Sequence, residues 1–216
     1  MTATESDTSF SAIVRRATAP DHRSAEGSGF LDALFSGSLP VSGYVRMLAQ
    51  HRYAYDALES TGRALAQDPT VAPFLHPGLD RVAALDADLA DLGGATWATD
   101  HPASEATERY VARLQEVVEW PAGFVAHHYT RYLGDLSGGQ YIAKAAASAY
   151  GLTDEDGGRF ATFDQIGDHA TFKAAYRRAL DEAPWDIAEQ QRVIDEVRLA
   201  YRCNREVFAD LARSIA

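Results

Sequence analysis

Arg131, Gly134, Asp135 and Gly138 recur at i, i+3, i+4 and i+7 within the stretch RYLGDLSGGQ, so a regular helix places all four on one face. That face carries one guanidinium, one carboxylate and otherwise bare backbone. Gly134, Gly138 and Gly139 all fall in a run from Phe124 to about Tyr150 that reads as helix in every other respect. Each glycine costs a helix interior roughly 1 kcal/mol against alanine. In return the chain gains a surface without side chains, able to bend and to approach a neighbour closely. Two helices crossing at short range would explain Gly134 and Gly138, and a surface ion pair would explain Arg131 and Asp135. Neither explains Gly139 and Ser137 in the same apolar helix. The other reading is a face laid flat against a planar ligand and equipped with a polar group to control it.

Two further patterns carry chemistry. Arg15, Ala19, His22 and Glu26 fall at i, i+4, i+7 and i+11 and share a face if the helix survives Pro20. A carboxylate at Glu26 could accept a hydrogen bond from one imidazole nitrogen of His22 and leave the other for a metal. A lone helical histidine is otherwise a surface or hydrogen-bonded core residue. Lys173 and Arg177, at i and i+4, put two cations on one face. Like charges so placed are either well solvated or grip an anion.

These groups need a scaffold. The chain has 216 residues, enough for one domain with a real core, and its 46% hydrophobic and 24% charged shares are ordinary for a globular protein. A formal charge of −11 argues against nucleic acid and anionic membrane surfaces as partners. No apolar run reaches the roughly 18 residues of a membrane span. The opening MTATESDTSF lacks the basic and apolar regions of a signal peptide. Cys203 is the single cysteine, which excludes an internal disulfide and a cysteine-cluster metal site. A cytoplasmic protein is expected, with residues 1–10 a flexible terminus and residues 11–214 one domain.

The elements read as helices throughout, and alternating strand patterns are scarce. A helix begins near Ser9, and Pro20 predicts a kink or a restart near Thr18, which with Asp21 resembles a capping start. Phe30, Leu31 and Leu34 start a short apolar helix after the glycines at 27–29. Long helices are expected at about 42–67, 79–92, 104–118, 124–150, 171–180 and 185–214. A loop with room for a short helical turn is expected at 69–77, a loop at 93–102, an acidic turn at 151–158, and a loop or short helix at 160–167. Tyr44, Met47, Leu48, His51, Tyr55 and Leu58 mark the buried side of the second long helix.

The segment AHHYTRYLGDLSGGQ, Ala126–Gln140, closely resembles the distal-helix signature of heme oxygenases, and the resemblance extends from about Ser11 to Leu211. It implies an all-α, single-domain fold with heme b sandwiched between a proximal helix and a kinked distal helix. His22 matches the proximal iron ligand, and Glu26 matches a glutamate beside it. Arg15, Tyr129, Lys173 and Arg177 match residues that contact the heme propionates. Gly134, Gly138 and Gly139 match the bare distal wall, and Tyr201 and Asn204 match positions near the pocket. Ala19 stands where relatives can carry a second lysine, so that contact is missing here.

The implied activity is oxidative cleavage of heme at the α-meso carbon to biliverdin, CO and iron. Heme is then both substrate and cofactor, used with O₂ and with electrons from a ferredoxin or flavoprotein reductase. Water held by Asp135, with Arg131 and Tyr55 behind it, is the implied proton donor. A heme carrier or sensor that does not degrade its ligand would need His22 and the cations but not Asp135 or the glycines. A thiaminase-like hydrolase would need a histidine partner for Cys203, and a di-iron oxidase would need paired Glu-x-x-His motifs.

Overall fold

Residues 8–26, 29–153 and 157–214 are described by a computed structural model. Every long element in them is helical: α1 (Phe10–Glu26), α2 (Gly29–Phe35), α3 (Val41–Ala64), α4 (Val82–Gly93), α5 (Trp97–Asp100), α6 (Glu105–Glu116), α7 (Pro121–Gly134), α8 (Gln140–Tyr150), α9 (His169–Glu182) and α10 (Ile187–Arg213). Side chains at the termini explain several of these boundaries. Ser104 accepts from the N–H of Thr107 at 3.3 Å, Asp168 from Thr171 at 2.8 Å and Asp186 from Glu189 at 2.8 Å, each satisfying a donor that the first turn leaves open. Pro121 opens α7, where its missing N–H costs nothing. Gly151 ends α8 at φ +71°, a conformation that favours glycine.

The helices stack around one core. Helix α10 packs on α7, α1 and α6, helix α3 on α4 and α6, and α2 on α8. Tyr44, Met47, Leu48, His51, Tyr55 and Leu58 of α3 are all buried, as their spacing predicts. Phe30, Leu31 and Leu34 are buried too. Among the described residues no helix is long and apolar enough to cross a membrane.

Three expectations are corrected. Pro20 neither ends nor restarts α1, which runs through it to Glu26. Thr18 is therefore not a cap; its hydroxyl is buried and donates to the carbonyl of Val14 at 2.9 Å. Tertiary anchors carry the helix past its lost backbone bond. The Ser11 N–H and hydroxyl donate to Asp181 at 2.7 and 3.1 Å, and Arg198 of α10 donates to the Ala17 carbonyl at 3.3 Å. The 93–102 segment holds the short helix α5. The short helical turn expected as possible within 69–77 is a 3₁₀ turn at Ala72–Phe74.

A buried ionic cluster ties α6, α7 and α10 together. Glu196 accepts from Arg113 Nε at 2.7 Å and Nη2 at 2.9 Å, and pairs with His127 Nε2 at 2.8 Å. Burial alone would raise the Glu196 carboxyl, but the hydrogen bonds from His127 and Arg113 outweigh it and bring the pKa down to about 2. A carboxyl lowered in the folded state lends stability that is complete above its ordinary value of 4.5 and is lost as pH falls toward 2. Thermal unfolding of the wild type should therefore weaken steeply across that acid window. Glu196→Gln should be less stable near neutrality, by roughly 1–3 kcal/mol, and should show a flatter acid limb. Parallel curves for the two proteins would contradict this account of the cluster.

Candidate active site

The glycine-bearing stretch is not a regular helix. Helix α7 runs through a five-residue π-helical turn, Asp135–Gly139, into α8. Such a turn opens the backbone spiral and redirects the helix beyond it. The shared face predicted for Arg131, Gly134, Asp135 and Gly138 is corrected accordingly. Gly134 opens on a cleft of ≈ 310 Å³ lined also by Arg15, Thr18, His22, Tyr129, Ser137 and Arg177. Gly138 opens on an apolar hollow formed by Leu31, Phe35, Tyr141 and Ile142.

The glycines separate packing from vacancy. A Cβ built on Gly134 or Gly138 meets nothing within 4 Å. No helix crosses them, so close packing does not explain either one. Gly62 of α3 shows the contrast: a Cβ there would come within 3.1 Å of the Phe124 ring. Gly139 behaves differently again, since its Cβ would lie 3.5 Å from Asp135 in ordinary contact. The bare wall is thus made by Gly134 and Gly138, and Gly139 lies against the acid.

Behind the wall sits a buried polar group of residues from three helices. The Tyr55 hydroxyl of α3 donates to Asp135 Oδ2. Arg131 lies 4.5 Å from the Tyr55 ring centroid and donates through Nη1 to Asn204 of α10 at 2.9 Å. Its Nε and Nη2 are buried without a protein partner. Buried donors of that kind are met by water. Burial pushes the Asp135 carboxyl above its ordinary value; Arg131 and the Tyr55 hydrogen bond pull it back without cancelling the rise. Burial likewise lifts the Tyr55 phenol well above the ordinary range. Asp135 is therefore a half-buried carboxyl whose orientation is fixed from behind by the Tyr55 hydroxyl.

The opposite wall of the cleft comes from α1. His22 is exposed there, its ring edge-on to Tyr201 of α10 with 5.6 Å between centroids. It is the one imidazole among the described residues lining the cleft. Arg15, Tyr129 and Arg177 join it, so three of the four expected anion contacts converge. Lys173 lies close by, donating to the Leu136 carbonyl at 3.3 Å and to the Ser137 hydroxyl at 3.1 Å on the π turn. Glu26 is described in backbone only, so its pairing with His22 lies outside the described side chains. Sequence reasoning did not find the apolar hollow or Phe160, which packs 5.8 Å from Tyr55. Neither carries a local motif.

The donor set suits a flat, amphiphilic, metallated ligand: an imidazole on one wall, side-chain-free backbone on the other, cations at one end and an apolar hollow adjoining. Similarity to known proteins makes this specific. Residues 8–210 match the family model described as Heme oxygenase. The chain is 37% identical over 199 residues to heme oxygenase 1 of Nostoc sp., covering 92% of this chain and 84% of that one. It is 35% identical to heme oxygenase 1 of Gallus gallus, over 96% of this chain and 71% of the relative. The crystal structure of heme oxygenase-1 from Synechocystis sp. in complex with heme superposes with a TM-score of 0.90 at 32% identity, covering 96% and 94% of the two chains. That of the Leptospira interrogans enzyme gives 0.88 at 35%, covering 94% and 100%. The chain belongs to the heme oxygenase family.

If Gly134 is vacant for a ligand and not for packing, Gly134→Ala should leave the ligand-free fold intact or stabilise it by about 0.5–1 kcal/mol. Gly62→Ala should destabilise, because the Phe124 ring must give way. Denaturant unfolding of both variants decides it; loss of stability in Gly134→Ala would return that glycine to a structural role.

Proposed function

We propose that this chain cleaves heme oxidatively to biliverdin, CO and iron, with O₂ and electrons from a separate donor. Biliverdin-forming cleavage is the activity of its family. The observation that carries the reading is the open backbone at Gly134, which lines the same cleft as His22, continued by the open backbone at Gly138 on the adjoining apolar hollow. A carrier or sensor would have no use for that arrangement. Among the described residues no group of three or more His, Cys, Asp or Glu is placed to hold a metal ion, so a di-iron oxidase lacks its ligands.

The residues divide the work. His22 would hold the iron from one wall of the cleft, and the glycine backbone would line the other. Bound heme supplies the iron that activates O₂ and the ring that is cut. Arg15, Tyr129 and Arg177 would meet the carboxylate edge, joined by Lys173 when it leaves Ser137. Asp135 holds water on the distal side and passes a proton through it. Tyr55 fixes the carboxyl by donating to Oδ2, and Arg131, anchored on Asn204, keeps positive charge beside it. Held by these cations, the carboxylate edge would set the ring's rotation, which favours the α-meso isomer. The donor is a ferredoxin or a flavoprotein reductase.

Incubation of the purified protein with heme and a reductant should bleach the heme band and release CO with α-biliverdin. A stable heme spectrum under the same conditions would make the protein a carrier. Asp135→Ala should bind heme with little loss yet lower the biliverdin yield, on the order of 10²-fold, as reducing equivalents escape to peroxide. Wild-type yield in that variant would remove Asp135 from proton delivery. His22→Ala should lose the imidazole-ligated heme spectrum and recover it on addition of imidazole; a spectrum indifferent to the substitution would place the iron elsewhere.

A further inference from the structure

A second opening shares no lining residue with the His22 cleft. It is a hollow of ≈ 170 Å³ between α3, α7 and the 75–80 segment. Leu58, Leu75, Pro77 and Phe124 give it apolar walls, with Glu59 and Tyr132 buried and Asp80 and Arg63 exposed. Three oxygen groups on it are incompletely satisfied. Tyr132 is 2% exposed, and its hydroxyl makes no hydrogen bond among the described residues. A buried phenol normally finds a partner. The Asp80 carboxylate makes neither hydrogen bond nor ion pair there. Glu59 spends Oε1 on the N–H of Arg81 at 2.5 Å and of Val82 at 3.1 Å, while Oε2 reaches only Arg63, at 4.0 Å. The Arg63 side chain is 64% exposed and donates to the Ser60 hydroxyl at 2.9 Å, so it holds Oε2 loosely. The three groups converge: both carboxylates act on the phenol, and Asp80 acts on Glu59.

We propose that this hollow is a binding site for a small primary aromatic amine in its ammonium form. The ring would lie between Leu58, Leu75 and Phe124, and the ammonium would sit on Glu59, Asp80 and the Tyr132 hydroxyl. An ammonium has three donors and no acceptor, which matches three oxygens in need of donors. Apolar cavities of about 150 Å³ hold a benzene ring, so one ring with a short amino arm fills this hollow. The Phe124 and Tyr132 rings beside it add attraction for a cation. The site is separate from the heme-cleaving function and does not depend on it.

The surroundings favour a cation over other ligands. A carboxylate ligand would meet two like charges, and a neutral one would leave them uncompensated. Burial raises both the Glu59 and Asp80 carboxyls even with Arg63 and Arg81 nearby, so a cation between them relieves that cost. The buried Arg81 guanidinium does not supply the missing donors, because it gives its own to the carbonyls of Gly78, Leu79, Phe160 and Thr162. His128 also lines the hollow, its ring 4.5 Å from that of Tyr132, and pairs through Nδ1 with the Tyr176 hydroxyl at 2.8 Å. Burial lowers its pKa to about 3, so it puts no positive charge in the way of an ammonium.

The test titrates benzylammonium into the heme-free protein, followed by calorimetry and NMR. It should bind at one site, with nuclear Overhauser contacts from its ring protons to Phe124 and Leu75. Benzyl alcohol and benzoate offer the same ring without the cation and should bind weaker by about tenfold or more. Asp80→Asn, a change at an exposed position, should weaken benzylammonium on the order of tenfold, and Tyr132→Phe should weaken it severalfold. Should Tyr132→Phe fail to fold, Asp80→Asn decides alone. No binding, equal affinity for the amine and the alcohol, or wild-type affinity in either folded variant overturns the proposal. Contacts to Tyr129 or Leu133 would put the probe in the His22 cleft and overturn it too.

Discussion

A flat ligand that must touch main chain requires a helix to give up side chains, and with them the packing that normally holds a helix in place. Gly134 and Gly138 face empty space, so nothing in front supports the π turn they bracket. Its position is set from behind and from the side. Tyr55 donates to Asp135, Arg131 is bound to Asn204, and Lys173 reaches the Leu136 carbonyl. Further back, Phe160 packs on Tyr55, and Gln140 donates to the Ala161 carbonyl at 2.8 Å. The open wall is stable because α3, α9, α10 and the 159–163 segment converge on its reverse side.

The same contacts that position the wall tune its chemistry. Burial at Tyr55 and Asp135 disfavours ionisation of both, and the Arg131 cation restrains that effect at the carboxyl without reversing it. Burial works against Arg131 itself, but Tyr55 and Asp135 more than compensate and hold it cationic. A half-buried carboxyl next to a permanent cation, both fixed by partners on other helices, is a preorganised site that needs no rearrangement when charge develops. The cleft wall of α1 is simpler. His22 is presented by a helix that Asp181 and Arg198 brace from outside.

Much of this was legible in the chain, and for a definite reason. Glycines that a helix does not need are costly, so RYLGDLSGGQ stood out through its expense, whereas His22 and the Lys173–Arg177 pair were tied to it by the family resemblance and not by their spacing. The helices themselves came from periodicity and caps. What was hidden depended on tertiary contacts. Pro20 reads locally as a break, and only the anchors on α9 and α10 show why α1 continues. The π turn inserts a change of register that no 3.6-residue count contains, so Gly134 and Gly138 open on adjoining spaces instead of one face. Phe160 serves the site through Tyr55, a neighbour far away in sequence, and its residue type says only that it is buried.

A crystal grown with hemin and measured at the iron edge reaches the centre of the account most directly. The anomalous map should show one iron peak bonded to the His22 imidazole, with the porphyrin plane against the main chain of Gly134. An iron peak on any other residue, or a ring standing away from that main chain, would contradict it.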